Sequence, residues 1–312
     1  MHKLAICFSG QGSQYEGMAL DFLENDMSSK TFIQHIDQLL NESYIQKFNR
    51  RESMEDTSDV QPMIVLKSLL GLNKLDIKSY QVDAYFGFSL GEFSAYAAAG
   101  VFQTNDLIHI VKMRGYHMQV SSIEHPGSMA AIIGLDKEKV LNVITPYQKQ
   151  GVIEIANENG YKQYVISGET KLIKKAILDL KESGARRAIL LNVSGAFHTS
   201  MMHDASLAFK KSISAFKRKR PHTPILMNKN ASWLKDDIED HLINQMVSPV
   251  KFVEMIQRLK KDGYTHILEI GPGKVLTGLI KKIDSDIEVM SFDKYDSYEN
   301  VKGWLENNGF KK

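Results

Sequence analysis

The sequence predicts an α/β protein with a parallel-sheet core and a small βαββαβ domain inserted into it. Three observations carry this. Short apolar runs feed directly into glycine-rich turns and then helices, the rhythm of a parallel sheet. Between about residues 126 and 191 that rhythm gives way to strands and helices in βαββαβ order. Core-type elements then resume, and 312 residues are enough for one large core and a smaller companion.

The first strand, Lys3 to Phe8, ends in Ser9-Gly10-Gln11-Gly12-Ser13-Gln14, a polar turn whose backbone amides are available to a ligand. Asn49 to Asp59 is polar enough to read as a surface loop. A second strand, Val82 to Phe86, meets Gly87-Phe88-Ser89-Leu90-Gly91-Glu92, and an alanine-rich helix runs on to Gly100, a suitable helix C-terminus. The inserted segment comprises strand Ser128–Gly134, helix Asp136–Gln150, strands Val152–Ala156 and Tyr164–Ser167, helix Thr170–Ser183 and strand Ala188–Leu191, the ferredoxin-like order. Near the C-terminus, His266–Ile270 leads through Gly271-Pro272-Gly273 into another helix, and a last strand occupies Ile287–Phe292. Residues 1–125 and 196–312 are therefore expected to form a large α/β domain and 126–195 a small one, with a cleft between them.

The composition, 43% hydrophobic and 24% charged, excludes a disordered chain, a fibre or a membrane bundle. The single cysteine, Cys7, sits in the run Leu4-Ala5-Ile6-Cys7-Phe8 and reads as a small buried strand residue, with no partner for an internal disulfide. No apolar stretch approaches the ~18 residues of a membrane span, and the first run is too short for a signal-peptide core, so a cytoplasmic protein is expected. A net charge of +2 gives no reason to expect nucleic acid, and Lys217-Arg218-Lys219-Arg220 reads as solvated surface. His203 with Asp204, and His241 after Asp236-Asp237, lack the spacing of a metal set, and no metal is expected. Gly271-Pro272-Gly273-Lys274 lacks the spacing and hydroxyl of a P-loop and reads as a structural turn.

Gly87-Phe88-Ser89-Leu90-Gly91 has the nucleophile-elbow pattern, in which flanking glycines permit a strand-to-helix turn tight enough to push the serine hydroxyl out. A strand before it and a helix after it favour catalysis over a glycine turn with an idle serine. At the helix N-terminus the Leu90 amide is placed to donate to a developing oxyanion, with help from the helix dipole. A serine hydroxyl needs a base, and ten histidines are available. His198 is the best candidate on local grounds, because Gly195-Ala196-Phe197-His198 follows the last strand of the insert, where the chain re-enters the large domain beside the cleft. No clear acidic third member lies between Ser89 and His198 in the order α/β-hydrolases use, so a Ser-His dyad fits better than a triad. Leu107, Val111, Arg114 and Met118 step by four, three and four, and so share one helix face. A guanidinium in that apolar stripe demands an anion, either a protein carboxylate or a bound one.

Taken together, the motifs resemble the malonyl-CoA:acyl-carrier-protein transacylase family, which includes bacterial fatty-acid enzymes and the discrete trans-acting acyltransferases of some polyketide synthases. The marks are Gly10-Gln11-Gly12-Ser13-Gln14, Gln61-Pro62, Gly87-Phe88-Ser89-Leu90-Gly91-Glu92, Arg114 with Met118-Gln119, Gly195-Ala196-Phe197-His198, Asn244-Gln245 before Pro249, and Glu269-Ile270-Gly271-Pro272-Gly273. They span nearly the whole chain, and their order makes them far more specific together than singly. The resemblance implies a hydrolase-like α/β core with a ferredoxin-like insert. It implies Ser89 as the acylated nucleophile, His198 as its general base, the backbone amides of Gln11 and Leu90 as the oxyanion hole, and Gln245 as a residue that orients His198. Arg114 would bind the malonyl carboxylate bidentately, with Gln61 nearby and Met118, Phe197 and Phe88 shaping the acyl pocket.

The reaction so implied is ping-pong: malonyl-CoA enters as substrate, Ser89 is malonylated, and the thiol of a holo acyl carrier protein takes the group. No cofactor, nucleic acid or membrane is required, and a monomer suffices. For the acidic carrier, Lys217–Arg220 and Arg186-Arg187 are the basic docking candidates. One departure is Phe88, which stands where the family commonly has histidine; it leaves the Ser-His pair intact and alters the acyl pocket. Phe197 fills space as in malonyl-selective members, which points to a small unbranched acyl group. Two other readings remain: an acyl hydrolase that clears carrier proteins, against which Arg114 counts, and a non-catalytic carrier-docking module, against which the set Ser89, His198, Gln11 and Arg114 counts. A general esterase is disfavoured by the missing acid and the ferredoxin-like order.

Overall fold

The computed structural model describes residues 2–193, 195–235 and 237–312. Its strands are β1 (Leu4–Phe8), β2 (Ala84–Gly87), β3 (Gly127–Ile133), β4 (Ile153–Gly160), β5 (Gln163–Glu169), β6 (Arg187–Leu190), β7 (Ile225–Leu226), β8 (His266–Ile270) and β9 (Glu288–Phe292). Every residue of β1, β2 and β8 is buried, as strands covered on both faces require. These strands lie at the centre of an all-parallel sheet of order β7-β2-β1-β8-β9. Successive side chains take opposite faces. Leu4, Ile6 and Phe8 pack with the helices Thr57–Leu75, Gly91–Ala98 and Thr104–Glu124, while Ala5 and the unpaired Cys7 pack with Phe252–Lys261 and Val275–Ile283.

The second sheet is antiparallel, with order β4-β5-β3-β6. Its first and third strands in sequence, β3 and β5, lie side by side at the centre, which is the split βαβ arrangement of the ferredoxin-like fold. The helices Lys137–Gln148 and Thr170–Glu182 cover one face through Val140, Ile144, Leu172, Ile173, Ala176 and Leu180. The opposite face presents Met129, Ala131, Gln163 and Val165 to a cleft at the C-terminal ends of β1 and β2. Main-chain bonds from Val250 to Ala156 and from Glu158 to Val250 tie β4 to the large sheet's side of the molecule.

The structure departs from several of the expected elements. The second strand runs Ala84–Gly87 instead of Val82 to Phe86. Strand β4 continues past Ala156 to Gly160; a bulge between Ile155 and Asn157 breaks the alternation, and the added residues are polar. The expected loop over Asn49–Asp59 contains a 3₁₀ turn, Glu52–Met54, and the start of a helix whose cap is Asp56, accepting from the Ser58 and Asp59 amides. Strand β7 was not predicted at all, because two residues have no readable period; it is defined by its pairing with Tyr85 and Phe86.

Candidate active site

Strand β2 ends at Gly87 and a helix begins at Gly91, so the chain turns within Phe88, Ser89 and Leu90. A Cβ on Gly91 would lie 2.1 Å from the carbonyl oxygen of Phe8, so only glycine lets the helix start this close to β1. Ser89 takes φ +48°, a left-handed conformation that a residue bearing a Cβ holds only where its surroundings compel it. One such constraint is Asn228, whose Oδ1 accepts from the Ser89 amide at 2.8 Å and whose Nδ2 donates to the Gly87 carbonyl at 2.7 Å.

The Ser89 hydroxyl lies 2.7 Å from Nε2 of His198. On the other side of the ring, Nδ1 is 2.9 Å from the Ser248 carbonyl and 3.1 Å from the Gln245 carbonyl. Carbonyls only accept, so Nδ1 carries the proton and Nε2 is left as the base facing the serine. Among the described residues no carboxylate bonds to Nδ1, whose partners are two main-chain carbonyls. Burial, with a further push from the Arg114 cation, takes the His198 pKa down to about 4, which keeps the ring neutral near pH 7.

Arg114 reaches this site because its helix crosses the start of Thr57–Leu75 at Gly115, where a Cβ would meet the Thr57 carbonyl oxygen at 2.8 Å. Arg114 is 1% exposed. It donates through Nη1 to Gln61 Oε1 at 2.7 Å and through Nη2 to Gln245 Oε1 at 2.8 Å, and it lies 5.3 Å from the centre of the Phe93 ring. Among the described residues no carboxylate comes within ion-pair distance of it, and its Nε has no partner. Of the two anions the sequence left open, an internal carboxylate is therefore absent from direct contact. Burial lowers the Arg114 pKa to about 10, against the opposing effect of Glu92, so the group stays charged at neutral pH.

A cleft of about 530 Å³ brings together Gln11, Phe88, Ser89, Arg114, Met118, Phe197 and His198. Phe88 packs edge-on against Phe252 at 5.4 Å. Gln61 and Gln245 lie behind the cleft wall, both buried, where they hold Arg114. Among the described residues the Gln11 and Leu90 amides have no protein acceptor, although Leu90 itself has no exposed surface. The expectation for Gln245 is refined: its main-chain carbonyl meets the His198 ring, whereas its side chain joins Arg114 to the Ser89 carbonyl at 2.7 Å and to Glu92.

Two residues at the site had no role in the sequence reading. Glu92 is visible there as the acid that opens the helix after the serine; it accepts from the Asn228 amide at 2.7 Å and from the Gln245 side chain. Burial raises its pKa to about 7 despite those bonds and the nearby Arg114. Asn228 carries no local signal, since it follows a strand too short to recognise.

The remaining candidates fall elsewhere. Glu269 accepts from the Leu276 and Thr277 amides, so the helix N-terminus after Gly271–Lys274 is already occupied by a protein carboxylate. His241 pairs with Asp237 at 3.1 Å, and Asp204 lies 3.6 Å from His125; among the described residues no three potential metal ligands converge. Ser194 and Asp236 lie outside the described residues. The Lys217–Arg220 segment is bonded through the Lys219 amide to the Val101 carbonyl, at the end of helix Gly91–Ala98 away from Ser89 and hence away from the cleft. Arg187 opens β6 opposite Ile133, at the outer end of the small sheet. No helix among the described residues is long and apolar enough to cross a membrane.

A strained serine between strand and helix, a neutral histidine on its hydroxyl and a buried cation share one cleft on a hydrolase-like core, an arrangement suited to acyl transfer through a serine. Residues 6–293 match the model of the acyl transferase domain family. The malonyl CoA-acyl carrier protein transacylase of Bacillus subtilis (strain 168) is 35% identical over 304 residues, 96% of this chain and 96% of that protein. The crystal structure of an acyl-carrier-protein S-malonyltransferase from Bartonella henselae superposes with a TM-score of 0.92 at 31% identity, over 97% of this chain and 99% of that one. A malonyl-transacylase solved with its type II PKS acyl-carrier protein superposes with a TM-score of 0.92 at 28% identity, over 98% of this chain and 100% of that one. The chain belongs to the malonyl CoA-acyl carrier protein transacylase family.

Proposed function

We propose that this chain moves malonyl from malonyl-CoA to the phosphopantetheine thiol of an acyl carrier protein through a malonyl-serine intermediate. The observation that carries the reading is Arg114, a buried cation with no carboxylate among the described residues in contact, in the same cleft as a serine hydroxyl 2.7 Å from a histidine ring nitrogen. A free malonyl carboxylate is the anion this arginine lacks.

Ser89 Oγ attacks the thioester carbonyl while His198 Nε2 takes the hydroxyl proton, and the Gln11 and Leu90 amides receive the oxyanion. Collapse of the tetrahedral intermediate breaks the C–S bond, and the proton on His198 passes to the departing coenzyme A thiolate. The carrier thiol then gives its proton to His198, attacks the malonyl-serine ester and releases Ser89, which regains that proton. Arg114 holds the carboxylate throughout, and Met118, Phe88 and Phe197 bound the acyl group.

The acceptor follows from the likeness to a malonyl-transacylase solved with its carrier. The reading includes action as a monomer in the cytoplasm, without cofactor or metal, and a division of the chain into 1–125 with 196–312 against 126–195, whose junction is the acyl cleft. The test is intact-protein mass after mixing with malonyl-CoA, with Ser89→Ala as control, followed by a panel of holo carriers from fatty-acid and polyketide systems. An adduct that needs Ser89 and passes to a carrier supports the transferase and identifies its pathway. An adduct lost to water instead supports a hydrolase.

A further inference from the structure

We propose that Asn228 is a positioning residue that holds the nucleophile turn in its reactive shape; the inference rests on the acyl-serine reading above. Strand β7 pairs with β2 at Tyr85–Ile225 and Phe86–Leu226 and then stops. Two residues further on, the side chain of Asn228 takes over the role of the main chain. It donates to the Gly87 carbonyl and accepts from the Ser89 amide, so that one planar amide clasps both sides of Phe88. Asn228 is 1% exposed, and its main-chain amide donates to Glu92, which fixes the backbone from which the clasping side chain extends.

The clasp does what the turn needs. Ser89 at φ +48° is a conformation the chain does not hold by itself, and the amide of a free serine turn would seek another acceptor. The Ser89 amide is committed to Asn228, the next amide in the turn, Leu90, has no protein acceptor among the described residues, and the hydroxyl is held within reach of His198. Misplacement of a nucleophile by about an ångström costs on the order of a hundredfold in rate.

Single-turnover acylation by malonyl-CoA, measured by rapid quench and corrected for the folded fraction, tests this. Asn228→Ala is expected to slow acylation of Ser89 by about a hundredfold, with the half-saturating malonyl-CoA concentration within about threefold of the parent, because Arg114 and its partners are untouched. Phenylmethylsulfonyl fluoride, which sulfonylates a serine hydroxyl with loss of fluoride and needs no arginine, should slow by a similar factor. Asn228→Asp keeps the acceptor for the Ser89 amide and loses the donor to Gly87; its loss should fall between parent and Asn228→Ala, and this near-isosteric variant decides the matter if the alanine variant does not fold. Malonylation and sulfonylation within about threefold of the parent in the folded variants would overturn the proposal, and so would a lower melting temperature as the sole effect. A parent enzyme that forms no malonyl adduct would instead overturn the acyl-serine reading.

Discussion

Arg114 donates through Nη2 to the side-chain oxygen of Gln245 at 2.8 Å, so a fully buried cation rests on a neutral amide. An amide satisfies a donor but cancels no charge. The same glutamine donates to the Ser89 carbonyl and to Glu92, so the arginine and the nucleophile turn share one support. In the proposed reaction, carboxylate recognition and acyl transfer are therefore joined at one side chain.

Arg114→Ala should abolish the preference for a carboxylated acyl group. Leaving a buried charge unpaired costs about 3–5 kcal/mol, so kcat/KM for malonyl-CoA is expected to fall a hundredfold or more while that for acetyl-CoA changes far less. Steady-state transfer with both donors measures the ratio. An unchanged ratio would remove Arg114 from substrate binding.

Gln61→Glu places a carboxylate where an amide oxygen now sits 2.7 Å from Nη1. The arginine then has its anion in the apo protein, and malonyl must compete with it. Half-saturating malonyl-CoA should rise at least about tenfold, with Ser89 still sulfonylated at the parental rate. Tighter malonyl binding in this variant would contradict the charge argument.

The rate of malonyl transfer should stay nearly flat from pH 7 to 5.5. A histidine of ordinary pKa would be mostly protonated at pH 5.5, but burial holds His198 at about 4, so its base form persists and the acid limb is expected near pH 4. The linked stability has the matching sign: the unfolded histidine takes up its proton first, so this contribution is full above about pH 6.5 and is lost as pH falls toward 4. A pH profile of single-turnover acylation, run alongside denaturant melts, checks both.

Glu92 acts in the opposite sense. Its buried carboxyl is raised to about 7, so the folded protein holds a proton that the unfolded chain releases near 4.5. Stability should therefore decline as pH rises from about 4.5 to 7, by on the order of 3 kcal/mol from this group. Glu92→Gln is expected to flatten that slope, and because its amide nitrogen would face the Gln245 or Asn228 donor, to weaken malonylation as well. Urea melts across this pH range would refute the assignment if parent and variant ran parallel.

Gly91→Ala should be strongly destabilising. Its Cβ would lie 2.1 Å from a main-chain oxygen of β1 that has no room to move, at a cost of about 3 kcal/mol or more. Gly115→Ala meets the Thr57 carbonyl at 2.8 Å and should instead push Arg114 away from Gln61, raising half-saturating malonyl-CoA more than it lowers the melting temperature. Calorimetry and acylation kinetics separate the two outcomes.

Much of this protein was legible locally. The buried runs of β1 and β8, the glycine turn around Ser89, the βαββαβ order and the arginine in an apolar stripe are patterns of period and spacing, and near neighbours in the chain are enough to impose them. For the same reason β4 was cut short at its bulge and β7 went unseen: one broke the period and the other was too short to have one. What only the tertiary structure decided is how these parts meet. Ser89 is clasped by Asn228 across 139 positions, the His198 ring is aimed by two carbonyls near residue 245, and Arg114 finds amides on two different elements instead of a carboxylate. Hydrogen bonds of this kind depend on which elements pack together and at what distance, and a crossing set by one missing Cβ at Gly115 leaves no trace in hydrophobic periodicity.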